Sequence, residues 1–359
     1  MAAAGHPEDT PDRAASAIER ADFVRLVSAS DGDSLAAAGL LARGLEAAAI
    51  PYQASSAAVP EPPATDADCT VGIGRRIGDV SLRERSRALE AASILEALAP
   101  DAVDPELALA GAVSAGVDPP SGLLERAGLE RRPGVAVPTD DPAEGLAFST
   151  LAHAAFSGDV DAAGAAVSGL GTEDPTGREV ASLLALSAIE DAPPRAATAI
   201  ERALRPYATD RFETLGGYAD VLDAAARTEP ATGLALALGY GVEGAAYDAW
   251  RALGGRVHAA LRSADTRRYD GLYVVRPDEA TPAVLGSLSR LAFWYRSPEP
   301  TALAATDGAS AVVGEEPTGD PFSEAAAALE GRTTAGGRAA TATFEGTADE
   351  FVAAFRRAL

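Results

Sequence analysis

Two aspartates are the residues of this sequence whose type and spacing most suggest chemistry. Asp31 and Asp33 lie two positions apart in the segment Phe23–Leu41, which reads FVRLVSASDGDSLAAAGLL. The segment predicts an apolar strand, a tight acidic loop and a helix rich in small residues. Carboxylates at the carboxyl end of a strand could hold a divalent metal ion through their oxygen atoms. The alternative is structural, with Asp33 or Ser34 capping the helix and Gly32 permitting the turn.

Around this loop, short apolar runs typical of strands alternate along the sequence with helical segments. Such alternation favours a parallel sheet covered on both faces. We therefore predict a doubly wound α/β domain, a helical connecting region, and a second, smaller α/β domain with a cleft between the two domains. We expect a flexible tail over residues 1–21, a first domain including the connecting region over 22–205, and a C-terminal domain over 212–359.

Individual elements can be predicted from the same pattern. The predicted strands are Phe23–Ala29, Tyr52–Val59, Cys69–Ile73, Tyr269–Arg276, Thr301–Ala305, Ala309–Val313 and Thr341–Phe344. The predicted helices are Leu35–Ala48, Arg83–Leu98, Pro105–Val113, Gly217–Ala226, Tyr247–Arg262 and Ala348–Leu359.

The charge of the chain indicates its environment. The 359 residues include 53 acidic and 30 basic side chains, which gives a net charge of −23, and every basic one is arginine. A GC-rich genome would explain the loss of lysine, but it would not explain the excess of carboxylates. A charge this large repels itself in dilute buffer and becomes tolerable where salt screens it. We expect a cytoplasmic protein of a salt-adapted cell.

Several classes of function are disfavoured. Cys69 is the only cysteine, which excludes an internal disulfide and a cysteine-based metal site. No run of residues approaches the roughly 18 consecutive apolar residues of a membrane span, so no membrane association is expected. The glycines of Gly72–Gly74 lack the third glycine of a dinucleotide-binding turn, and no Walker sequence occurs. Nucleotide cofactors are therefore poor candidates.

The acidic loop also resembles a known family. It is similar to the first motif of the DHH phosphoesterases, in which a His-x-Asp-x-Asp run supplies metal ligands. Further segments resemble archaeal RecJ-like proteins of this superfamily, occur in the order found there, and extend the resemblance over residues 22–359. These segments are Leu107–Val113, Leu123–Gly128, Pro133–Gly134, Gly145–Thr150 (GLAFST), Gly217–Arg227 (GYADVLDAAAR), Gly233–Leu238 (GLALAL), and Gly336–Gly337 followed by Phe351 and Phe355.

The resemblance implies a set of substrate-binding candidates. An arginine at the position of Arg227 would face substrate phosphate in the family. Gly336, Gly337 and Arg338 lie where the family carries a Gly-Gly-Gly-His stretch, with arginine in place of the histidine. We therefore treat these four residues as candidates for contact with a phosphate-bearing ligand.

The departures from the family pattern concern the metal ligands. Ala29 replaces the histidine of the first motif, and Thr70–Gly74 lacks the aspartate that should bridge the metals. The Asp-His-His tripeptide that names the family is absent, and the fourth-motif aspartate corresponds to Ser114 or Ala115. Two-metal cleavage needs several ligands on each ion. The two loop aspartates alone would hold one ion at most.

These departures favour a catalytically degenerate RecJ-like protein of DNA replication or repair that needs no cofactor. It would act through protein contacts, with a GINS-type helicase component as the candidate partner and single-stranded DNA as a candidate ligand. Val59–Pro63 and Gly314–Pro321 are the candidate docking loops. The alternative is an active exonuclease or phosphodiesterase that uses Mn²⁺ or Mg²⁺ at Asp31 and Asp33. A small-phosphate binder without chemistry is a third candidate.

The densest basic cluster has two interpretations. It consists of Arg75–Arg76 with Arg83, Arg85 and Arg87. Guanidinium groups suit phosphate oxygens, so the cluster could bind phosphate. It could equally be a solvated surface whose charges pair with neighbouring carboxylates.

Aromatic side chains and one histidine are also open to two interpretations. Trp250, Trp294 and Tyr295 could stack on bases, but their apolar neighbours are more typical of a core. His153 lies in an apolar run without a carboxylate beside it, which is more typical of a packed histidine than of a catalytic base.

The net charge of −23 generates a prediction about stability. Salt should relieve carboxylate repulsion in the folded chain, so the melting temperature should rise from dilute to molar KCl. Circular dichroism melts over a KCl series would measure the rise, with osmotically matched sorbitol as a control that screens no charge. A melting temperature that is flat or falls with KCl would contradict the assignment of the acidity to salt adaptation.

Overall fold

The computed structural model describes residues 10–56, 66–75, 77–172, 175–188, 192–278, 280–336 and 338–359. Within these residues the chain forms two compact units. The first unit takes the described part of Met1–Glu130 together with Val221–Ala249, and the second takes Arg131–Asp220 together with Trp250–Leu359. Each unit contains its own β-sheet, so the predicted mixed α/β class with a parallel sheet and a second sheet domain is confirmed.

The first unit contains four strands and the helices that surround them. In chain order its elements are α1 (Pro11–Glu19), β1 (Val24–Ser28), α2 (Gly32–Ala47), β2 (Tyr52–Ser56), β3 (Cys69–Ile73), β4 (Val80–Leu82), α3 (Arg87–Leu98), a 3₁₀ turn (Pro100–Ala102), α4 (Pro105–Ser114), α5 (Ser121–Ala127), the second part of α10 (Leu215–Thr228), α11 (Pro230–Leu238) and the start of α12 (Glu243–Ser263).

The four strands are parallel and lie in the order β2-β1-β3-β4. Val24 at the start of β1 pairs with Tyr52 on one side and with Cys69 on the other, and Ser28 pairs with Ile73 at the far end. Nearly every residue of β1 and β3 is buried, as expected for the central strands of a parallel sheet. The carboxyl ends of β1 and β3 therefore lie side by side, and the acidic loop follows directly from this edge.

Helix α2 is buried along most of its length because its small residues let neighbouring helices approach closely. Of its 16 residues, 13 are buried. A Cβ on Gly39 would lie 2.6 Å from the carbonyl oxygen of Ala237 in α11, so only glycine allows these two helices to pack at this distance. This close packing fixes the direction in which the amino end of α2 meets the sheet.

Three elements of the first unit, α1, β4 and α11, differ from the sequence-based expectation, and α11 was not predicted although its sequence is apolar. Pro11–Glu19, which we assigned to a flexible tail, forms α1 and buries Ile18 completely against neighbours that include α3. Its proline in the first turn favours helix initiation, but nine residues give too short a pattern to predict. Strand β4 was also missed, because three residues show no periodicity.

Several element ends in the first unit differ from expectation: α2 begins at Gly32 rather than Leu35, and α12 begins at Glu243 rather than Tyr247. Helix α3 begins at Arg87 rather than Arg83, because Ser86 is its N-cap and accepts a hydrogen bond from the amide of Leu89. The predicted strand Tyr52–Val59 is confirmed over Tyr52–Ser56, and residues 57–59 lie outside the described residues, as does the candidate docking loop Val59–Pro63.

The second unit combines a run of helices with a six-stranded sheet. Its elements are α6 (Pro142–Phe148), α7 (Val160–Ser168), α8 (Gly177–Ala188), α9 (Ala196–Ala203), the first part of α10, the second part of α12, β5 (Asp265–Tyr269), β6 (Leu272–Arg276), α13 (Pro282–Tyr295), β7 (Thr301–Thr306), β8 (Ala309–Gly314), α14 (Gly319–Ala327), β9 (Arg332–Gly336), β10 (Ala339–Thr343) and α15 (Ala348–Ala358).

The sheet of the second unit has the order β5-β6-β7-β8-β10-β9. Strands β6 and β7 are parallel, and the other neighbours are antiparallel. The predicted strands at Thr301–Ala305, Ala309–Val313 and Thr341–Phe344 correspond to β7, β8 and β10. The predicted strand Tyr269–Arg276 corresponds to β6, and β5, which was not predicted, precedes it in a hairpin that turns at Gly271, whose φ is +76°.

The closing helix α15 is held by an aromatic cluster and a complete cap. Phe351 stacks on Phe344 at 4.5 Å and meets Phe322 edge-on at 5.2 Å, measured between ring centroids. Thr347 and Glu350 form a capping box at its amino end. The predicted helix Ala348–Leu359 is therefore confirmed, and Phe351 serves the core of the unit.

Trp250 and Tyr295 are core residues, as their apolar neighbours indicated. Trp250 is fully buried and donates from Nε1 to Asp220 at 2.9 Å. Asp220 also accepts from the amide of Thr150 at 2.9 Å, so it anchors the end of the GLAFST segment.

No helix among the described ranges is long and apolar enough to cross a membrane.

Two histidines of the second unit form a buried chain of hydrogen bonds with one possible proton arrangement. His258 Nε2 lies 2.9 Å from the carbonyl oxygen of Ser149, which can only accept, so Nε2 carries the proton. Neutral His258 then accepts at Nδ1, and His153 Nδ1, 3.1 Å away, must donate. His153 Nε2 is left to accept from Arg296 Nη2 at 3.3 Å. Both rings are neutral, so His153 is a packed histidine.

The pKa values of this pair agree with the neutral state. Burial first, and then the neighbouring His258, Arg296 and Arg262, together lower the pKa of His153 to about 3. Burial also lowers the pKa of His258 to about 4, and Arg262 acts in the same direction.

We predict that this pair makes the folded protein sensitive to acid. In the unfolded chain each histidine binds a proton near pH 6.5, whereas in the folded chain it stays neutral. As the pH falls below 6.5, the free energy of unfolding should therefore decrease by about 1.4 kcal/mol per pH unit for each of the two histidines. His153→Gln removes one of these groups, so its deficit relative to wild type should shrink as the pH falls. Denaturant unfolding in molar KCl over a pH series would measure this, and a deficit that is independent of pH would contradict it.

Candidate functional site

The acidic loop caps helix α2 through its first aspartate. Asp31 is the N-cap residue, with φ −136° and ψ 158°, and its Oδ1 accepts from the amide of Ser34 at 2.9 Å. Its Oδ2 accepts from the hydroxyl of Ser34 at 2.9 Å. The capping interpretation of the loop is therefore correct in kind, but Asp31 makes the cap rather than Asp33 or Ser34.

Asp33 points the other way, to the amino end of helix α3. Its side chain is 1% exposed. Oδ1 accepts from the hydroxyl of Ser86 at 2.9 Å and from the amide of Ala88 at 3.0 Å. Oδ2 accepts from the amide of Arg87 at 2.7 Å. A carboxylate at the amino end of a helix is stabilised by the free amides and the helix dipole, so Asp33 joins the β1–α2 loop to α3.

Arg87 completes the arrangement by binding both aspartates. Its Nη2 donates to Asp31 Oδ1 at 2.9 Å, and its Nε lies 3.1 Å from Asp33 Oδ2. The same Nε lies 3.3 Å from the hydroxyl of Ser34. The guanidinium side chain is 15% exposed, so these contacts form in a largely dehydrated place. Within the basic cluster, Arg87 therefore bonds to the acidic loop and is neither a solvated charge nor a free phosphate ligand.

The charges of this triad depend on one another. Burial raises the pKa of Asp33 to about 6, Arg87 opposes this rise, and the neighbouring charge of Asp31 adds to it. Burial disfavours the charged form of Arg87, but Asp31 and Asp33 together raise its pKa above the usual range.

A second acidic group reaches the loop from the far half of the sequence. Asp223 Oδ1 accepts from the amide of Gly32 at 3.1 Å, and its Oδ2 accepts from Arg227 Nε at 2.9 Å. Burial disfavours the charged form of Arg227, but Asp223 and then Asp31 raise its pKa. The structure thus brings the predicted substrate residue Arg227 near Asp31, through Asp223. Asp223 was missed, and its only signal was the i,i+4 spacing to Arg227.

The positions where this sequence departs from the DHH pattern surround the same loop. A Cβ on Gly32 would lie 2.5 Å from the hydroxyl oxygen of Ser114, so the loop and the end of α4 touch through a position that requires glycine. Ala29 is 2% exposed and lies against Gly74 at the end of β3. Arg75 follows there and donates from Nε to the carbonyl of Ser28 at 3.3 Å.

The oxygen atoms at the loop do not fit a divalent ion as they are arranged. The two oxygens of Asp33 accept four contacts, from Ser86, Ala88 and two nitrogens of Arg87. Both oxygens of Asp31 are also engaged, with Ser34 and Arg87. Across the described part of the chain, no three His, Cys, Asp or Glu side chains are grouped so that they could hold a metal. An ion at Asp31 and Asp33 would have to displace Arg87.

The other predicted site residues lie in the second unit or outside the described residues. Gly336 ends β9 and pairs with Ala339 of β10. Arg338 is exposed, and its carbonyl accepts from the amide of Gly314 at 2.9 Å. Gly337, and Arg76 of the basic cluster, lie outside the described residues. The substrate-binding role of Gly336, Gly337 and Arg338 remains a prediction.

A protein of Haloarcula marismortui is similar to this chain over its full length. It bears the description "Uncharacterized protein rrnAC1427" and is 44% identical over 385 residues, covering 98% of this chain and 98% of that protein. The family model for the C-terminal domain of the same protein matches residues 264–357, the stretch from the start of β5 into α15.

Solved structures of DHH proteins have a similar fold. RecJ from Thermus thermophilus in complex with Mg²⁺ has a TM-score of 0.51 and 14% identity, and the match covers 99% of this chain and 53% of that chain. This chain thus spans about half the length of that RecJ. CDC45 from Entamoeba histolytica has a TM-score of 0.55 and 8% identity, covering 94% and 95% of the two chains.

The similarity to solved structures and the similarity in sequence support different conclusions. The solved structures establish a RecJ-like DHH fold and, at these identities, the fold alone. The identity and coverage of the Haloarcula relative go further, and they show that this chain belongs to the rrnAC1427 protein family.

Proposed function

We propose that this protein is a RecJ-like protein of DNA replication or repair whose metal site is degenerate. It acts through contacts with other proteins, in the cytoplasm of a salt-adapted cell. The observation that carries the proposal is the pairing of Arg87 with both Asp31 and Asp33. These are the two aspartates that remain of the ligand set implied by the resemblance to DHH phosphoesterases.

Phosphodiester cleavage of the two-metal type makes demands that this loop does not meet. Each ion needs several carboxylate or imidazole ligands, and the two ions must lie about 3.5–4 Å apart. In the family pattern, Ala29 and either Ser114 or Ala115 stand where ligands are missing, and the remaining carboxylates accept from protein donors.

Binding of a phosphate-bearing ligand without cleavage is compatible with the same place. Arg227 and Arg75 lie close enough to Asp31 for its charge to raise the pKa of both, although burial lowers the pKa of Arg75 overall. Guanidinium groups remain charged at any relevant pH and bind phosphate oxygens well. Single-stranded DNA is therefore retained as a candidate ligand of the first unit.

A role in a protein complex is supported by family analogy and by one exposed loop. The resemblance to RecJ-like proteins includes noncatalytic relatives that act with the replicative helicase, which makes a GINS-type component the candidate partner. Of the predicted docking loop Gly314–Pro321, residues 315–317 are exposed, while Thr318 is buried and α14 begins at Gly319. Glu315 pairs with Arg195 at 3.1 Å, so Glu316 gives the exposed part its negative charge, which suits a basic surface on a partner.

The first prediction from this proposal is that the purified protein leaves single-stranded DNA and RNA intact in molar KCl with Mn²⁺ or Mg²⁺. The reason is the engagement of Asp31 and Asp33 by Arg87. Gel analysis of end-labelled oligonucleotides would measure cleavage, with a salt-tolerant nuclease as the positive control. Metal-dependent cleavage that disappears in Asp31→Ala would refute the proposal and favour the exonuclease alternative.

The second prediction is that a tagged copy of the protein, purified from cells lysed in molar KCl, brings replication or repair proteins with it. If the exposed loop contributes, the charge reversal Glu316→Arg should reduce recovery several-fold. Glu125→Arg, an exposed change in α5 of the first unit, is the matched control and should leave recovery unchanged. Recovery of the bait alone would count against the proposal, and recovery of nucleotide-metabolising enzymes would favour the small-phosphate binder.

A further inference from the structure

We propose that the free edge of strand β5 is a docking site for an extended, acidic segment of a partner protein, which pairs with β5 as a seventh strand of the sheet. The surface consists of β5 (Asp265–Tyr269) with Arg276 of β6 and Arg356 of α15, and we call it the β5 edge. This inference deepens the proposed function, on which it rests for the existence of a protein partner. It states where that partner binds and what its chemistry is.

Strand β5 ends the sheet, and part of its backbone faces away from it. In the order of the sheet it lies beside β6. Tyr269 and Leu272 close a two-residue turn, so they exchange both of their backbone hydrogen bonds. The alternation of an antiparallel ladder then directs the N–H and C=O groups of Thr266 and Arg268 away from β6. Four of the five residues of β5 are exposed, so the described part of the chain leaves this edge open.

The side of the β5 edge that meets α15 carries more guanidinium groups than carboxylates. Arg267 and Arg276 both bind Oδ1 of Asp349, with their Nη1 atoms at 3.1 and 2.6 Å, so one carboxylate serves two arginines. The guanidinium of Arg356 lies 3.9 Å from the ring centroid of Tyr269, and within the described residues it has no carboxylate partner. In a chain whose net charge is −23, this locally positive surface suits an acidic partner.

The opposite face of β5 is balanced in charge. Arg268 pairs with Glu299, whose other carboxylate oxygen accepts from the amide of Gly271 at 3.0 Å. Since successive side chains of a strand point to opposite faces, every second residue of an added segment lies beside Arg267 and Arg276. We therefore expect a partner segment in which aspartate or glutamate recurs at every second position.

Pairing through the backbone also suits the salt-rich environment expected from the composition. At about 1 M salt the Debye length is about 3 Å, so exposed ion pairs alone hold a partner weakly. Backbone hydrogen bonds are not screened in this way. Strand addition obtains its affinity from these bonds, while the side chains supply the specificity.

Charged side chains on an edge strand also protect a protein from pairing with itself. The strand holds two arginines and one aspartate, so it repels a basic strand and attracts an acidic one. Protection against a second copy and recognition of an acidic segment therefore agree. β5 contains no proline and keeps its register with β6 over five consecutive residue pairs, so it has the regular geometry that an added strand needs.

The test measures the binding of short fluorescent peptides to the full-length protein in molar KCl by fluorescence anisotropy. In the probe peptide glutamate alternates with valine, and in the control peptide lysine replaces glutamate. We expect saturable binding of the glutamate peptide and binding of the lysine peptide that is weaker by about ten-fold or more. Amide hydrogen exchange at Thr266 and Arg268 should slow when the glutamate peptide is bound.

Thr266→Pro removes an outward N–H and leaves every arginine in place, and edge strands tolerate proline at such positions. It should weaken binding of the glutamate peptide by about ten-fold, because one strand-pairing hydrogen bond is lost. Ala335→Pro, at an outward-facing position of the other edge strand β9, is the matched control and should leave binding unchanged. Arg267→Glu combined with Arg276→Glu should abolish the preference for the glutamate peptide, and it decides the test if Thr266→Pro does not fold.

Two results would overturn the inference directly, namely no binding of the glutamate peptide, or equal binding by wild type and folded Thr266→Pro. An oligothymidylate that displaces the peptide and binds Thr266→Pro as well as wild type would assign the arginines to nucleic acid instead. A wild-type dimer that Thr266→Pro dissociates would assign the edge to a second copy of the chain.

The outcome is separable from the fate of the proposed function. Nuclease activity of wild type would remove the proposed function without changing peptide binding. Recovery of replication or repair proteins by the tagged protein, together with no peptide binding, would remove only the β5 edge.

Discussion

Asp33 places a carboxylate that is 1% exposed against the first amides of α3, and the fold must neutralise that charge where it lies. Two amides, one hydroxyl and one guanidinium do so. Because these donors belong to the stretch that begins α3 and the carboxylate belongs to the loop after β1, the contact fixes the two segments to each other. The position of Arg87, and through it the engagement of Asp31, follows from this one requirement.

At the carboxyl edge of the parallel sheet, two helices have their first amides bonded to an aspartate from another element. Asp33, in α2, accepts from the first amide of α3, and Asp223, in α10, accepts from the first amide of α2. Each of these carboxylates is also bonded to an arginine, Arg87 or Arg227. Aspartates that could serve as ligands thus serve as helix caps with fixed counter-charges, which lets the loop remain acidic and ordered in a single arrangement.

Most strands and helices with a clear apolar pattern could be predicted. β1, β3, α2 and α15 follow from apolar runs, while β5 and β9 are edge strands of polar composition, DTRRY and RTTAG, and were missed. The helices α11 and α13 were also missed, although both are apolar. The acidic loop could be located from the spacing of its aspartates, and its function stays a prediction. Its partners could not, because Arg87 lies 54 positions and Asp223 191 positions from the groups they meet. In the sequence, Arg87 cannot be told apart from the other arginines of the basic cluster. Only its contacts with Asp31 and Asp33 in the fold distinguish it.

The two bonds of Asp33, to the start of α3 and to the guanidinium of Arg87, also limit which substitutions the loop can accept. Under the proposed function, a histidine introduced at Ala29, or an aspartate at Ser114 or Ala115, would add a ligand beside a guanidinium that already satisfies the loop. Loss of Arg87 alone would leave the buried carboxylate of Asp33 beside that of Asp31 without a counter-charge, at a cost that a marginally stable fold tolerates poorly. Selection for folding alone would therefore keep Arg87 in place, whatever other ligands the loop gained.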